Sequence, residues 1–367
     1  MELFSQAFII FTFSDIISEI LLHLNKTDSF NLINSFKNLS MNRTIKYALY
    51  SKYLLYDSTL SNIINSNEYP PEILKGLKII TCTNFPLLNL NMYKNLNTLI
   101  IKCVNFNDSL DNLPDTINTL EINSRLFNQQ LTKLPKNLKK LTIFSARFNK
   151  PININPGLIY LKLVSIDFMH PLIDLPESLQ ILDIDTILFN HSLDKISNKT
   201  LNIKSLTIGS LFFNKSLNNL ATTLTSLTIH HANKFNQLID KLPLNLSILM
   251  LDCKCFNKTL DNLPANLTYL YLNCPIFNNS LDNLPPNLLI LIISGNYFNQ
   301  PLDNLPKNLI ELRIKCDNFN TSLNYLPQSI KKLKIKSKYY NKALNNLPIN
   351  FTKIIIKSDF MNINYNL

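Results

Sequence analysis

Apolar positions along the chain follow one short motif that recurs from residue 85 onward. Each unit opens on three apolar residues spaced L-x-x-L-x-I, as in Leu138, Leu141 and Ile143 or Leu267, Leu270 and Leu272. The last two alternate with a period of two, which predicts a short strand with one buried face. After the strand comes Phe-Asn-x-x-Leu-Asp-Asn-Leu-Pro, clearest at Phe256–Pro264, Phe277–Pro285 and Phe298–Pro306. Proline cannot donate to a ladder and holds the residue before it extended, so this half predicts an irregular or 3₁₀-like return path. The aromatic of each unit falls at Phe85, Phe106, Phe127, Phe148, Phe168, Phe189, Phe213, Phe235, Phe256, Phe277, Phe298, Phe319, Tyr340 and Phe360, spaced 20 to 24 residues and mostly 21. A fixed period of this size makes each unit one coil of a solenoid, whose apolar side only its neighbours can cover.

The period changes near the N-terminus. Ile16, Ile17, Ile20, Leu21 and Leu24 fall at helical spacing after Ser14-Asp15, and Phe30, Ile33 and Phe36 follow Thr27-Asp28, both acceptable helix starts. The expected fold is thus an α/β-type solenoid: parallel short strands stacked over about 13 coils in residues 71–367, with a helical segment in residues 1–70 that supplies a small N-terminal cap.

Composition supports a folded chain. Of 367 residues, 46% are hydrophobic and 17% charged, enough to fill a continuous core. The abundance of Asn, Ile and Lys with only 4 glycines reads as codon bias, so part of the +11 net charge carries no functional message. The apolar run Phe8–Phe13 is too short to span a membrane and lacks a basic flank, so neither a signal peptide nor a membrane anchor is expected. That makes the cytoplasm the expected location.

Candidate chemistry thins out once the register is applied. Cys82, Cys103, Cys253, Cys274 and Cys316 all stand three residues before the aromatic, in a column otherwise filled by Ser124, Ser145, Ser165, Thr186, Ser210, Ala232, Gly295 and Ser337. The column wants a compact inward side chain, so these cysteines are expected to be core fillers rather than metal ligands, with Cys253 and Cys274 facing each other one coil apart yet kept reduced in a cytosolic chain. The Asn after each Phe is expected to bond the backbone of its own and the adjacent coil. Histidines 23, 170, 191, 230 and 231 show no recurring nucleophile or carboxylate partner, and no nucleotide, metalloprotease or hydrolase motif occurs. No metal, cofactor or catalytic residue is expected, and the chain reads as a non-enzyme.

Side chains that alternate with the buried Leu and Ile should face a partner from the concave side. They form an acidic spot at Asp183 and Asp185 and an apolar block of Ile248, Met250, Tyr269, Tyr271, Ile290 and Ile292. A basic end follows, through Arg313, Lys315, Lys332, Lys334, Lys336, Lys353 and Lys357. Aromatic anchors beside a charged rim are what a protein-binding hot spot requires, so Ile248, Met250, Tyr269, Tyr271, Ile290, Ile292, Arg313, Lys315 and Lys334 are the expected partner-binding residues, their target protein unidentified. Nucleic acid is disfavoured, because Lys outnumbers Arg there and no aromatics interleave the basic coils.

From Phe85 onward the chain resembles the FNIP repeat family, a leucine-rich-repeat variant named for its Phe-Asn-Ile-Pro core. The letters are Phe298-Asn299-Gln300-Pro301 and Phe148-Asn149-Lys150-Pro151, with Leu-Pro pairs such as Leu263-Pro264 and Leu284-Pro285. Residues 13–33 are similar to an F-box, with Phe13-Ser14 where that family has Leu-Pro. The resemblance implies that residues 13–39 dock a Skp-type linker of a cullin ubiquitin ligase through Phe13, Ile16, Ile17, Ile20, Leu21 and Leu24, while the repeats select the substrate. A stand-alone binding scaffold that uses the helices only as a cap is the alternative.

Overall fold

A computed structural model describes residues 55–57, 76–81, 95–152, 154, 156–194 and 201–366. Among them are sixteen strands in one sheet whose spatial order is the sequence order. The first eight are β1 (Leu55–Asp57), β2 (Gly76–Thr81), β3 (Thr98–Ile101), β4 (Thr119–Asn123), β5 (Lys140–Phe144), β6 (Tyr160–Ser165), β7 (Ile181–Thr186) and β8 (Ser205–Gly209). They are followed by β9 (Ser226–His230), β10 (Ile248–Asp252), β11 (Tyr269–Asn273), β12 (Ile290–Gly295), β13 (Glu311–Cys316), β14 (Lys332–Lys336), β15 (Lys353–Lys357) and β16 (Asn362–Asn366). β1 to β15 pair in parallel, each one coil from the next. The described residues contain no α-helix and no helix long and apolar enough to cross a membrane. The helical cap expected over residues 13–39 lies outside them, as does Phe85.

Alternation along each strand puts Leu and Ile inside. Leu270 and Leu272 are fully buried while Tyr269 and Tyr271 face outward, and the same pattern holds from β3 to β14 except at the buried Thr142 and Glu311. Behind the sheet, the aromatics from Phe106 to Tyr340 form one continuous stack, with adjacent centroids 5.8–6.4 Å apart and ring planes within 2–15°. A 21-residue period returns each ring to the same place, so the stack is the period made visible.

Two short turns close each coil. The first follows the strand, where Phe277 N–H donates to Cys274 O at 3.1 Å; the second opens on proline, where Leu288 N–H donates to Pro285 O at 3.1 Å. Between them the Asn after each Phe builds a ladder, its Oδ1 accepting the backbone N–H of its counterpart one coil on. The distance is 2.8 Å from Asn107 to Asn128 and 2.8 Å from Asn299 to Asn320. Met169 cannot accept, and there His191 Nε2 contacts Met169 O instead.

The described members of the compact column are buried as expected, apart from the half-buried Gly295. Its serines donate to the Phe carbonyl of the preceding coil, with Ser124 on Phe106, Ser145 on Phe127 and Ser337 on Phe319, each at 2.7 Å. Cys253, Cys274 and Cys316 occupy the column as free thiols. Cys103 is disulfide-bonded.

The two ends of the sheet differ from the regular coils. β1 pairs in parallel with β2, Leu55 opposite Lys78, with a register shift between Tyr56 and Asp57. At the other end Phe360 does not join the stack and is 63% exposed. Ser358 Oγ accepts the N–H groups of Phe360 and Met361, turning the chain back so that β16 runs antiparallel to β15. This local turn replaces the Phe-Asn return path.

Candidate functional site

Parallel pairing in constant register sorts the outward side chains into rows. Ile248, Tyr269, Ile290 and Glu311 form one, and Met250, Tyr271, Ile292, Arg313 and Lys334 form the next. Lys315 belongs to a third, which runs Asp252, Asn273, Ser294, Lys315, Lys336 and Lys357. All nine residues expected to bind a partner are thereby brought onto one face across five adjacent strands, β10 to β14.

The face is flatter than free side chains would suggest. Only Ile248 of the apolar six is openly exposed; Met250, Tyr269, Tyr271, Ile290 and Ile292 are half-buried, because strands about 4.8 Å apart make neighbours in a row cover one another. Burial, then the field of Asp252, raises the Tyr271 phenol above its usual pKa, so it stays a neutral donor. Glu311 is buried at 7% exposure, although alternation alone would have turned it outward, and it takes the Arg313 guanidinium as its partner. Arg313 therefore reaches the face already paired, at the boundary between apolar and basic rows.

Beyond that boundary charge is one-sided. Lys315, Lys332, Lys336, Lys353 and Lys357 are exposed, and Lys334 stands among them half-buried. Its pKa is lowered by partial desolvation and by the like charges of Lys336, Arg313, Lys353 and Lys357. An anionic surface placed here would relieve that repulsion. The expected acidic spot is not free in the same way, since Asp183 holds the Lys162 ammonium at 2.7 Å.

Sequence reasoning missed two features of the surface. The residue before each stacked Phe forms a partly apolar stripe along the solenoid, where Leu126, Leu188, Phe212, Ile276, Tyr297 and Tyr339 are exposed. Counting back one from the aromatic column would have found it. The second is a correction: His230 and His231, set aside as scattered, are grouped with Asp185. Their sequence separation hides the contact, because the coils they belong to carry the longer spacings of 24 and 22 residues, which the sheet absorbs outside its strands. The F-box-like residues Phe13, Ile16, Ile17, Ile20, Leu21 and Leu24 lie outside the described residues.

No protein-family model and no curated protein matches the sequence. Solved structures do. A circular leucine-rich-repeat protein, CroV588, is 28% identical with a TM-score of 0.64 over 79% of this chain; the match spans 44% of that protein's length. The internalin InlF of Listeria monocytogenes is 17% identical with a TM-score of 0.56, covering 79% of this chain and 87% of its own. YopM of Yersinia enterocolitica overlaps less closely, at 19% identity and a TM-score of 0.46 over 91% of this chain and 78% of its own.

Proposed function

We propose that this leucine-rich-repeat-type solenoid is a scaffold that binds a protein partner across β10 to β14. The reading rests on one observation: two rows of apolar and aromatic side chains lead into a basic field, Met250-Tyr271-Ile292 directly at Arg313 and Lys334, and Ile248-Tyr269-Ile290 at Lys332 past the buried Glu311. Apolar rows supply contact area, tyrosines supply rigid anchors with a polar tip, and the lysines steer an acidic rim into register. The partner is therefore a protein that presents an apolar ridge flanked by carboxylates. Selection of peptides or displayed domains on the full chain tests this. Binders should be acidic with apolar anchors and should lose at least tenfold in affinity to the Tyr269→Ala, Tyr271→Ala double variant at unchanged thermal midpoint. Undiminished binding by that variant would sink the assignment.

The finer reading is a substrate-recognition adaptor of a Skp-cullin-type ubiquitin ligase, working in the cytoplasm. It is supported by the F-box resemblance of residues 13–33 and rests on nothing in the described coils. Co-purification of a Skp-type linker and a cullin with the full chain, lost on Ile20→Asp, supports it; equal recovery with the variant, or none with either, leaves the stand-alone scaffold. A reducing cytoplasm would open the bridge at Cys103, so the redox state of that cysteine in cells bears on the location.

A further inference from the structure

Asp185, Gly209 and His230 stand in one row on β7, β8 and β9, each opposite the next. Side chains two strands apart start roughly 9.6 Å from each other and are normally kept apart by the residue between them. Here that residue is glycine. A Cβ on Gly209 would lie 2.5 Å from His230 Cε1, 2.6 Å from Asp185 Oδ1 and 2.7 Å from His230 Nε2. The imidazole and the carboxylate thus share the space that any other residue would fill.

His231 completes the group by an unusual route. Consecutive residues of a strand point to opposite faces, so His231 would ordinarily turn away from His230. Instead its φ of +53° puts it in the left-handed region, which residues with a side chain rarely adopt. The turn brings the rings to 4.7 Å between centroids, with His230 Nδ1 and His231 Nδ1 3.2 Å apart. Ligand atoms of Asp185, His230 and His231 all lie within 4.8 Å of one another.

We propose that Asp185, His230 and His231 form a binding site for a divalent transition-metal cation of the zinc type. Two ligands of a tetrahedral zinc at about 2.0–2.1 Å are separated by roughly 3.3 Å, close to the distance between the two Nδ1 atoms. A hydrogen bond between the rings would use only one lone pair, whereas an ion uses both. Two imidazoles and one carboxylate suit zinc, copper or nickel over magnesium or calcium, which favour oxygen. Asp185 and His231 also line an open groove of about 710 Å³ with Lys102 and Arg125, so the ion has a path in and a fourth position for water or a partner's side chain. The ion would tie β7 to β9 across β8, on the same sheet as the proposed partner surface and next to it, since β9 pairs with β10.

Calorimetric titration of chelator-treated full chain with Zn²⁺ tests the site. Wild type should take up one ion that Asp185→Asn and His231→Gln each bind at least tenfold more weakly, while the metal-free variants melt as wild type does. Among the described residues Cys255 is the exposed thiol that could compete, so Cys255→Ser is run alongside and should bind as wild type does. With Co²⁺ in place of Zn²⁺, weak visible bands without strong thiolate charge transfer should appear and vanish in His231→Gln. No uptake by wild type, a smaller effect than tenfold in either variant, or loss of binding in Cys255→Ser overturns the proposal.

Discussion

Asn278 accepts the backbone N–H of Asn299 at 2.9 Å and the Gln300 side chain at 3.1 Å, while its own N–H donates to Asn257 Oδ1 at 3.1 Å. Each Asn is thus acceptor for the coil after it and donor to the coil before it. Asn278→Ala removes only the acceptor role, and since water reaches the site the cost should be about 0.5–1.5 kcal/mol by denaturant melting. Asn278→Asp keeps an acceptor and should lose less; equal losses would mean that the ladder contributes nothing. The thiol column makes a second prediction. Burial raises the thiols of Cys274 and Cys316 to about 12 and pushes that of Cys253 higher still, whereas Cys255 is exposed. A thiol reagent near neutral pH should modify Cys255 in the native chain and spare the other three until it unfolds. Cys274→Ser should fold normally, because serine already serves that column in five coils, while Cys274→Leu should cost about 1–3 kcal/mol through overpacking.

One coil is a strand, two turns and a ring in the stack, and none of these is stable alone. Phe277 touches a ring on either side, Phe256 at 6.2 Å and Phe298 at 6.0 Å, and is fully buried. Phe277→Ala should therefore cost about 3–5 kcal/mol, and because the loss falls on both interfaces of one coil, the denaturant transition should broaden or split. The Leu-Asp-Asn-Leu-Pro return segment adds a smaller, pH-dependent contribution. Hydrogen bonds from Ser280, then from Asn304 in the next coil, hold the Asp282 carboxyl below its ordinary value of 3.8. A depressed carboxyl stabilises the fold above the unfolded value and loses that contribution as pH falls through the folded one. An NMR titration should place Asp282 below 3.8, and Asn304→Ala should move it upward.

At the scale of the whole molecule, the parallel stack gives way to one antiparallel strand at the end of the described residues. β16 covers β15 with an antiparallel pairing, Ile356 opposite Ile363, and Met361 and Ile363 pack against the core. Removing residues 358–367 should lower the thermal midpoint and promote self-association, since an unpaired β15 edge becomes a template for another chain. A truncated chain that stayed monomeric and as stable as wild type would show that the last turn does not act as a cap.

The period alone determined the architecture: residues at matching positions 21 apart must meet, so the strands, the Phe stack, the Asn ladder and the rows of Ile248, Tyr269 and Arg313 were legible before any coordinate. Repetition makes contact a matter of counting. What breaks the repeat could not be counted. The burial of Glu311 under Arg313, the reversal at Ser358 that leaves Phe360 outside and the bridge at Cys103 each depend on how particular side chains resolve a local conflict. The gathering of Asp185, His230 and His231 depends on a missing side chain at Gly209 and a left-handed backbone at His231, neither of which hydrophobic patterning encodes. Periodicity carries the long-range order of this chain, and only tertiary packing decides what happens where one coil differs from the next.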